Sequence, residues 1–160
     1  MLPRTIFLTN ERVKENDLTN GAHHLPVNSV LFWLVMLPAL GIIFIGVRFI
    51  ITPLAGAKGF GVPAGGAETN AYLWAKGTRD IVSGLFPLVL LWLKAGRQVF
   101  SVYLFVVALV PLSDLVNVYV HIGTSNISAL VIHGSTALYL IILAAVLLRK
   151  AEVTPPPQDG

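Results

Sequence analysis

The stretch Val110-Pro111-Leu112-Ser113-Asp114-Leu115-Val116-Asn117-Val118-Tyr119-Val120-His121 holds one carboxylate inside a run otherwise fit for the hydrocarbon core of a bilayer. Between Arg97 and Arg149, Asp114 is the only formally charged residue. A spanning helix needs about 20 mostly apolar residues, yet only 16 uncharged residues separate Arg97 from Asp114. Any span drawn here therefore contains Asp114. An Asp at mid-helix costs about 2.5–3.5 kcal/mol on insertion scales. Such a residue normally faces a bundle interior or a wet cavity, and it reads first as functional.

Working outward, the 160 residues are 55% hydrophobic and 12% charged, with a mean hydropathy of +0.76. A soluble domain carries about 25% charged residues, so the fold class expected is all-α, an integral membrane four-helix bundle. The net charge of +3 is spread over both ends of the chain. It reads as topology charge and forms no nucleic-acid patch. The absence of Cys excludes disulfides, thiolate metal sites and redox thiols. Residues 1–28 are polar and lack an early apolar core, so they do not read as a cleaved signal peptide.

Four spans are expected at about 29–51, 72–94, 98–120 and 127–148 of a domain covering 29–150. A polar N-terminal tail (1–28), flexible or with a short surface helix, precedes them, and a disordered tail (151–160) follows. The Gly- and Pro-rich run from Thr52 to Gly66 reads as a loop that lies against the membrane or partly re-enters it. Glu68-Thr69-Asn70 offers capping chemistry for a helix starting near Asn70. Only 13 uncharged residues lie between Asp80 and Lys94, so Arg79 and Asp80 are expected at the mouth of the second span. Pro38, Pro87 and Pro111 each free the carbonyl four residues earlier, on Leu34, Ser83 and Val107. In lipid those carbonyls need partners.

Seven cations lie on the side shared by both tails and the 94–97 turn, against four on the other side. Both termini are therefore expected to be cytoplasmic. At about 1.5 Å per residue, Asp114 lies about 10 Å below His121, and His133 at a similar depth on the fourth span. With Arg48, Arg79 and Asp80, they gather in the half of the membrane remote from the termini. Tyr103, Val110, Asp114, Asn117 and His121 fall on one helical stripe, expected to form a single wall. Gly134 and Ala137, beside His133, would let a neighbouring helix approach closely.

The chemistry that fits this set is proton transfer. Asp114 and His133 are the candidate catalytic acid and base. Arg79 and Asp80 form a polar clamp, and Asn117, Tyr103, His121, Trp74 and Arg48 are further candidate substrate-binding residues. No metal-ligand spacing is present, the two span histidines sit at unequal depths for haem, and no cofactor is expected. The function expected is a membrane-embedded, cofactor-independent enzyme of isomerase or cyclase type, acting on a lipophilic small molecule. Two rival readings stay open: a small-molecule carrier, and a partner subunit whose ion pairs only lock an assembly. Expected partners are membrane lipid and a hydrophobic substrate, with no nucleic acid; a homodimer is left open.

The runs Lys76-Gly77-Thr78-Arg79-Asp80-Ile81-Val82-Ser83-Gly84, Pro111-Leu112-Ser113-Asp114 and His133-Gly134-Ser135-Thr136-Ala137 resemble a family of small four-helix membrane proteins of unknown function. That family is common in filamentous fungi and distantly DoxX-like, and the resemblance covers about residues 28–150. It implies four spans, singles out the Arg-Asp, Asp and His positions, and suggests natural-product biosynthesis at the endoplasmic reticulum.

Overall fold

The computed structural model describes residues 24–61, 65 and 67–152. The tail up to residue 23 and residues 153–160 lie outside the described residues, and so do the expectations made for them. No strand occurs among the described residues. The helices are α1 (Val30–Ile51), α2 (Pro53–Phe60), α3 (Ala67–Trp92), α4 (Arg97–Val107), α5 (Leu109–Ile122) and α6 (Ile127–Glu152). A 3-10 turn, Gly123–Asn126, joins α5 to α6. Since α4 and α5 form one leg, the architecture is an all-α bundle of four legs with the short α2 lying across one end.

Local chemistry sets most boundaries. The Ser29 hydroxyl accepts from the Phe32 amide at 3.1 Å and caps α1. The run expected as a loop after α1 contains a helix instead. Pro53 occupies a first-turn position, where its missing N–H costs nothing, and Gly61, at φ 101°, closes α2 in the left-handed conformation. α3 begins at Ala67, ahead of the expected start, and Thr69 bonds back to the Gly65 carbonyl, so the polar triplet lies inside its first turn. At its other end, Lys94 (φ 53°) stands where a glycine is usual. Ala95 donates to Leu90 and Lys94 to Leu91, the paired bonds of a Schellman cap.

The third expected span is bent. Pro111 cannot donate to Val107, and helix assignment lapses at Ala108, which keeps helical dihedrals (φ −61°, ψ −21°). The leg therefore kinks and does not stop. The Asn126 side chain accepts from the Ala129 amide at 3.2 Å and caps α6.

α1 and the stretch Arg97–Ala151 are long and apolar enough to cross a membrane. At about 1.5 Å per residue, the 22 residues of α1 cover about 33 Å, against a hydrocarbon core of about 30 Å. Large apolar side chains such as Leu40, Phe44, Leu85, Val102, Val131 and Leu138 are exposed around the perimeter, while Asp80 and Asp114 are buried. Apolar outside and ionic inside is the arrangement a lipid solvent favours.

The legs pair off. α1 packs along α3, and α6 packs along both α4 and α5. The first pair depends on glycine. A Cβ on Gly46 would lie 2.6 Å from the Gly77 carbonyl oxygen, and one on Gly84 would lie 2.5 Å from that of Ala39. Only bare backbone permits this approach. Gly134, expected to play that part, would place a Cβ no closer than 4.0 Å to Leu115.

Between the two pairs, the end of the bundle bearing the termini is filled by Val35, Leu90, Phe100, Leu104, Leu143 and Leu147. Ser101 adds a 2.8 Å bond to the Ala144 carbonyl within the second pair. Polar links also join the pairs, two of them made on proline-freed carbonyls by tyrosines that pack against this core. The Tyr139 hydroxyl donates to Leu34, opposite Pro38, at 2.6 Å, and the Tyr103 hydroxyl donates to Ser83, opposite Pro87.

Two substitution series test this frame. Gly84→Leu forces α1 and α3 apart and is expected to cost at least about 1–3 kcal/mol. Gly134→Ala should stay within about 0.5 kcal/mol, both read from thermal unfolding in detergent. Tyr103→Phe strands the Ser83 carbonyl at an expected cost of about 1–3 kcal/mol. Adding Pro87→Ala should restore part of that loss by returning an amide donor to the same carbonyl.

Candidate functional site

Lys76, Arg79 and Asp80 lie on α3 at spacings of three and four, which brings them to one side of the helix. Asp114 reaches them from α5, just past the kink. The Lys76 Nζ stands 3.1 Å from Asp80 Oδ2 and 3.1 Å from Asp114 Oδ2. The Arg79 Nη2 lies 3.0 Å from Asp80 Oδ1 and 3.1 Å from Asp114 Oδ2, with Nε adding a 3.2 Å bond to Asp80 Oδ1. Each cation thus bridges both carboxylates, and the four residues close a ring of alternating sign and zero formal charge. Among the described residues, all the ion pairs fall within this ring.

Asp80 is fully buried, and the Arg79 side chain is 37% exposed, covering the ring from outside. The position of Asp80 differs from the expected mouth of a span. The Gly46–Gly77 contact sets the register of α1 against α3, so Asp80 lies about two turns below the end of α1, roughly 12 Å at 1.5 Å per residue. The longer α3 supplies the extra turns above it.

Aromatic rings finish the surroundings of Lys76. Its Nζ lies 4.5 Å from the Phe60 ring centre and 5.0 Å from that of Phe49. Both distances suit cation–π attraction. Phe49 and Phe60 meet edge to face at 6.4 Å. Phe49 comes from α1 because Gly77 admits it, and Phe60 comes from α2, the helix the sequence reading took for loop.

His133 goes elsewhere than expected. Its Nε2 lies 3.2 Å from the Phe60 carbonyl oxygen, and its ring meets the Phe60 ring at 5.0 Å. The final carbonyls of a helix lack internal partners, and α2 presents this one to α6. The bonds of Asp114 all go to Lys76 and Arg79, so no direct Asp114–His133 pair is formed.

A cavity of about 540 Å³ lies between the helix pairs, and Asp80, Asp114, Lys76 and His133 all line it. Tyr103 and Arg48 line it too. The Tyr103 hydroxyl is spent on the Ser83 carbonyl, however, which makes it a structural strut more than a substrate hand. The rest of the wall is largely aliphatic and aromatic, with Pro38, Pro87 and Pro111 all contributing.

Asn117, His121 and Trp74 lie outside this cavity. The buried side of α5 is Pro111, Asp114 and Val118, which leaves Asn117 and His121 to the flank. There His121 Nδ1 contacts the Asn117 carbonyl at 2.9 Å. The expected single wall holds from Tyr103 through Val110 to Asp114 and ends there, because beyond Asp114 the buried face of α5 continues at Val118. Trp74 is 55% exposed on the outer face of α3. Among the described residues, no group of His, Asp and Glu converges as a metal site.

Lys76, Phe49 and Phe60 were missed as site residues. A signal for Lys76 existed in its i, i+4 spacing to Asp80. For the two phenylalanines no local signal distinguishes them from other apolar residues.

In comparison with known proteins, the family described as Domain of unknown function (DUF4267) matches residues 39–147. No curated protein and no solved structure matches the chain.

The ring predicts an asymmetry between single and paired changes. Asp80→Asn leaves two cations sharing one carboxylate in a buried site, at an expected cost of about 3–5 kcal/mol. Lys76→Met with Asp80→Leu removes one charge of each sign and leaves Arg79 on Asp114. That double variant should unfold at a higher temperature than Asp80→Asn alone, measured in the same detergent.

Proposed function

The chain belongs to this family of unknown function, and we propose that it binds a lipophilic small molecule within a membrane and moves protons on it. The reaction class is isomerisation or cyclisation without a cofactor. One observation carries the reading: the cavity is apolar along most of its wall, yet two carboxylates, an ammonium and an imidazole face into it together. Pockets of about 300–1,000 Å³ with a few convergent polar groups are the usual form of small-molecule sites.

In this reading Asp114 takes a proton from one carbon of the substrate, His133 returns one at another position, and proton exchange with solvent resets both groups. The oxidation state is unchanged and no co-reactant is consumed. The ring suits Asp114 to that task. When Asp114 is neutral, Lys76 and Arg79 still hold Asp80, at 3.1 and 3.0 Å, so the geometry survives the transfer. Desolvated walls strengthen each of these interactions. The distribution of Lys and Arg supports cytoplasmic termini, with the site toward the opposite face.

A second reading is favoured by the closure of the ring itself, since all four charges are matched internally. There the ring is only an assembly lock between helix pairs. Purified protein in lipid nanodiscs, given polyene or terpenoid substrates in heavy water, separates the two. The enzyme reading expects deuterium to enter the substrate, with a loss of at least about 100-fold in rate for Asp114→Asn while substrate still raises its unfolding temperature. Equal rates in the mutant, or no exchange with any substrate together with a purely structural loss of stability, would establish the lock.

A further inference from the structure

The polar side chains around the cavity are nearly all matched. Lys76, Asp80 and Asp114 are tied into the ring, Tyr103 bonds the Ser83 carbonyl, Thr136 bonds the Ile132 carbonyl at 2.8 Å, and His133 meets the Phe60 carbonyl. Apart from the Ser83 hydroxyl, Arg48 is the exception. It lines the cavity, but among the described residues its guanidinium has no hydrogen-bond or ion-pair partner. Beyond the helix's own backbone ladder, its carbonyl accepts from Thr52 N at 2.9 Å and Thr52 Oγ1 at 3.0 Å. Because the ring is formally neutral, the cavity carries one uncompensated positive charge, at its rim near the end of α1.

The shape of the cavity extends that charge into a ligand class. Leu34 and Arg48, both on α1, both line it. Fourteen residues of helix at about 1.5 Å each give a wall about 21 Å long. Between them the lining from α1 is apolar, including Pro38, Ile42 and Ile45. A volume of about 540 Å³ suits one tail better than the two of a bilayer phospholipid. Phe44 lines the cavity while remaining 69% exposed, which marks an opening on the lipid-facing side of α1.

We propose that the cavity takes a single-tailed amphiphile with an anionic head, carboxylate or phosphate, which sits on Arg48 while the tail runs along α1 toward Leu34. The planar guanidinium matches either head in a two-point contact. The molecule enters sideways from the bilayer past Phe44, and the tail passes the ring, so the reacting carbons of the proposed function lie a few bonds below the head. This rests on the cavity-binding reading above and narrows its ligand.

The test is equilibrium binding to full-length protein in nanodiscs of neutral phosphatidylcholine. The probes are oleate, geranylgeranyl phosphate and oleyl alcohol, the last being a neutral tail of the same length as oleate. Binding of oleate or of the phosphate at least tenfold tighter than the alcohol, with the preference lost in Arg48→Gln and kept in Arg48→Lys, supports the proposal. Whichever anionic probe binds tighter identifies the head. Arg48 is exposed, so its variants should fold, and unchanged unfolding temperatures check this. Equal binding of all three probes by the wild type overturns the anionic head but leaves the cavity reading intact. An anion preference unchanged in Arg48→Gln overturns the assignment of the head to Arg48. Binding of none of the probes, with substrate turnover present, overturns the ligand class alone; binding of none without turnover overturns both.

Discussion

Everything in this bundle is arranged around one buried ring of charge. Asp80 and Asp114 would repel each other at this separation in a medium poor in water, and neither could be held there alone. Lys76 and Arg79 each bridge the two carboxylates at 3.0–3.1 Å, so the repulsion becomes a bond between α3 and α5. Buried ion pairs contribute little net stability because desolvation offsets attraction, yet removing one partner is costly. The ring therefore acts less as glue than as a fixed point. It fixes which face of α5 is turned to α3.

The other links between the helix pairs follow the same logic at lower charge. A proline inside a spanning helix leaves a carbonyl without its helical donor, and lipid offers no substitute. Tyr139 and Tyr103 answer two such carbonyls from the opposite helix pair, on Leu34 and Ser83. His133 answers the open end of α2 in the same way. These contacts require the two pairs to stand apart by the length of a side chain. Where the pairs do meet, near the termini, Phe100, Leu104 and Leu147 fill the space. The cavity is what remains where polar struts replace close packing.

How far the sequence was legible differs by scale. The four legs follow from apolar run length, since the bilayer fixes the number of residues a span requires. Asp114 and Asp80 were legible because any charge in such a run is conspicuous, and so were the three freed carbonyls, because proline removes a known donor. What was misread was local and small. α2 was taken for a loop because its Gly and Pro content suggests turns, although Pro53 and Gly61 stand at helix-compatible ends. Close helix approach was expected at Gly134 and Ala137, and the glycines of the α1–α3 contact went unread, since Gly46, Gly77, Gly84 and Gly134 look alike until a partner backbone is placed opposite each.

The sequence by itself determined an apolar helical bundle with isolated charges in one half of its length, because the solvent selects composition residue by residue. Only the tertiary structure decided which charge meets which. Arg79 and Lys76 reach Asp114 while Arg48 does not, and His133 turns to Phe60 rather than to Asp114. The register of α1 on α3, the bend at Pro111 and the placement of α2 decide those pairings together. Each is a contact between segments far apart in the chain, and no local pattern of residues encodes the distance between them.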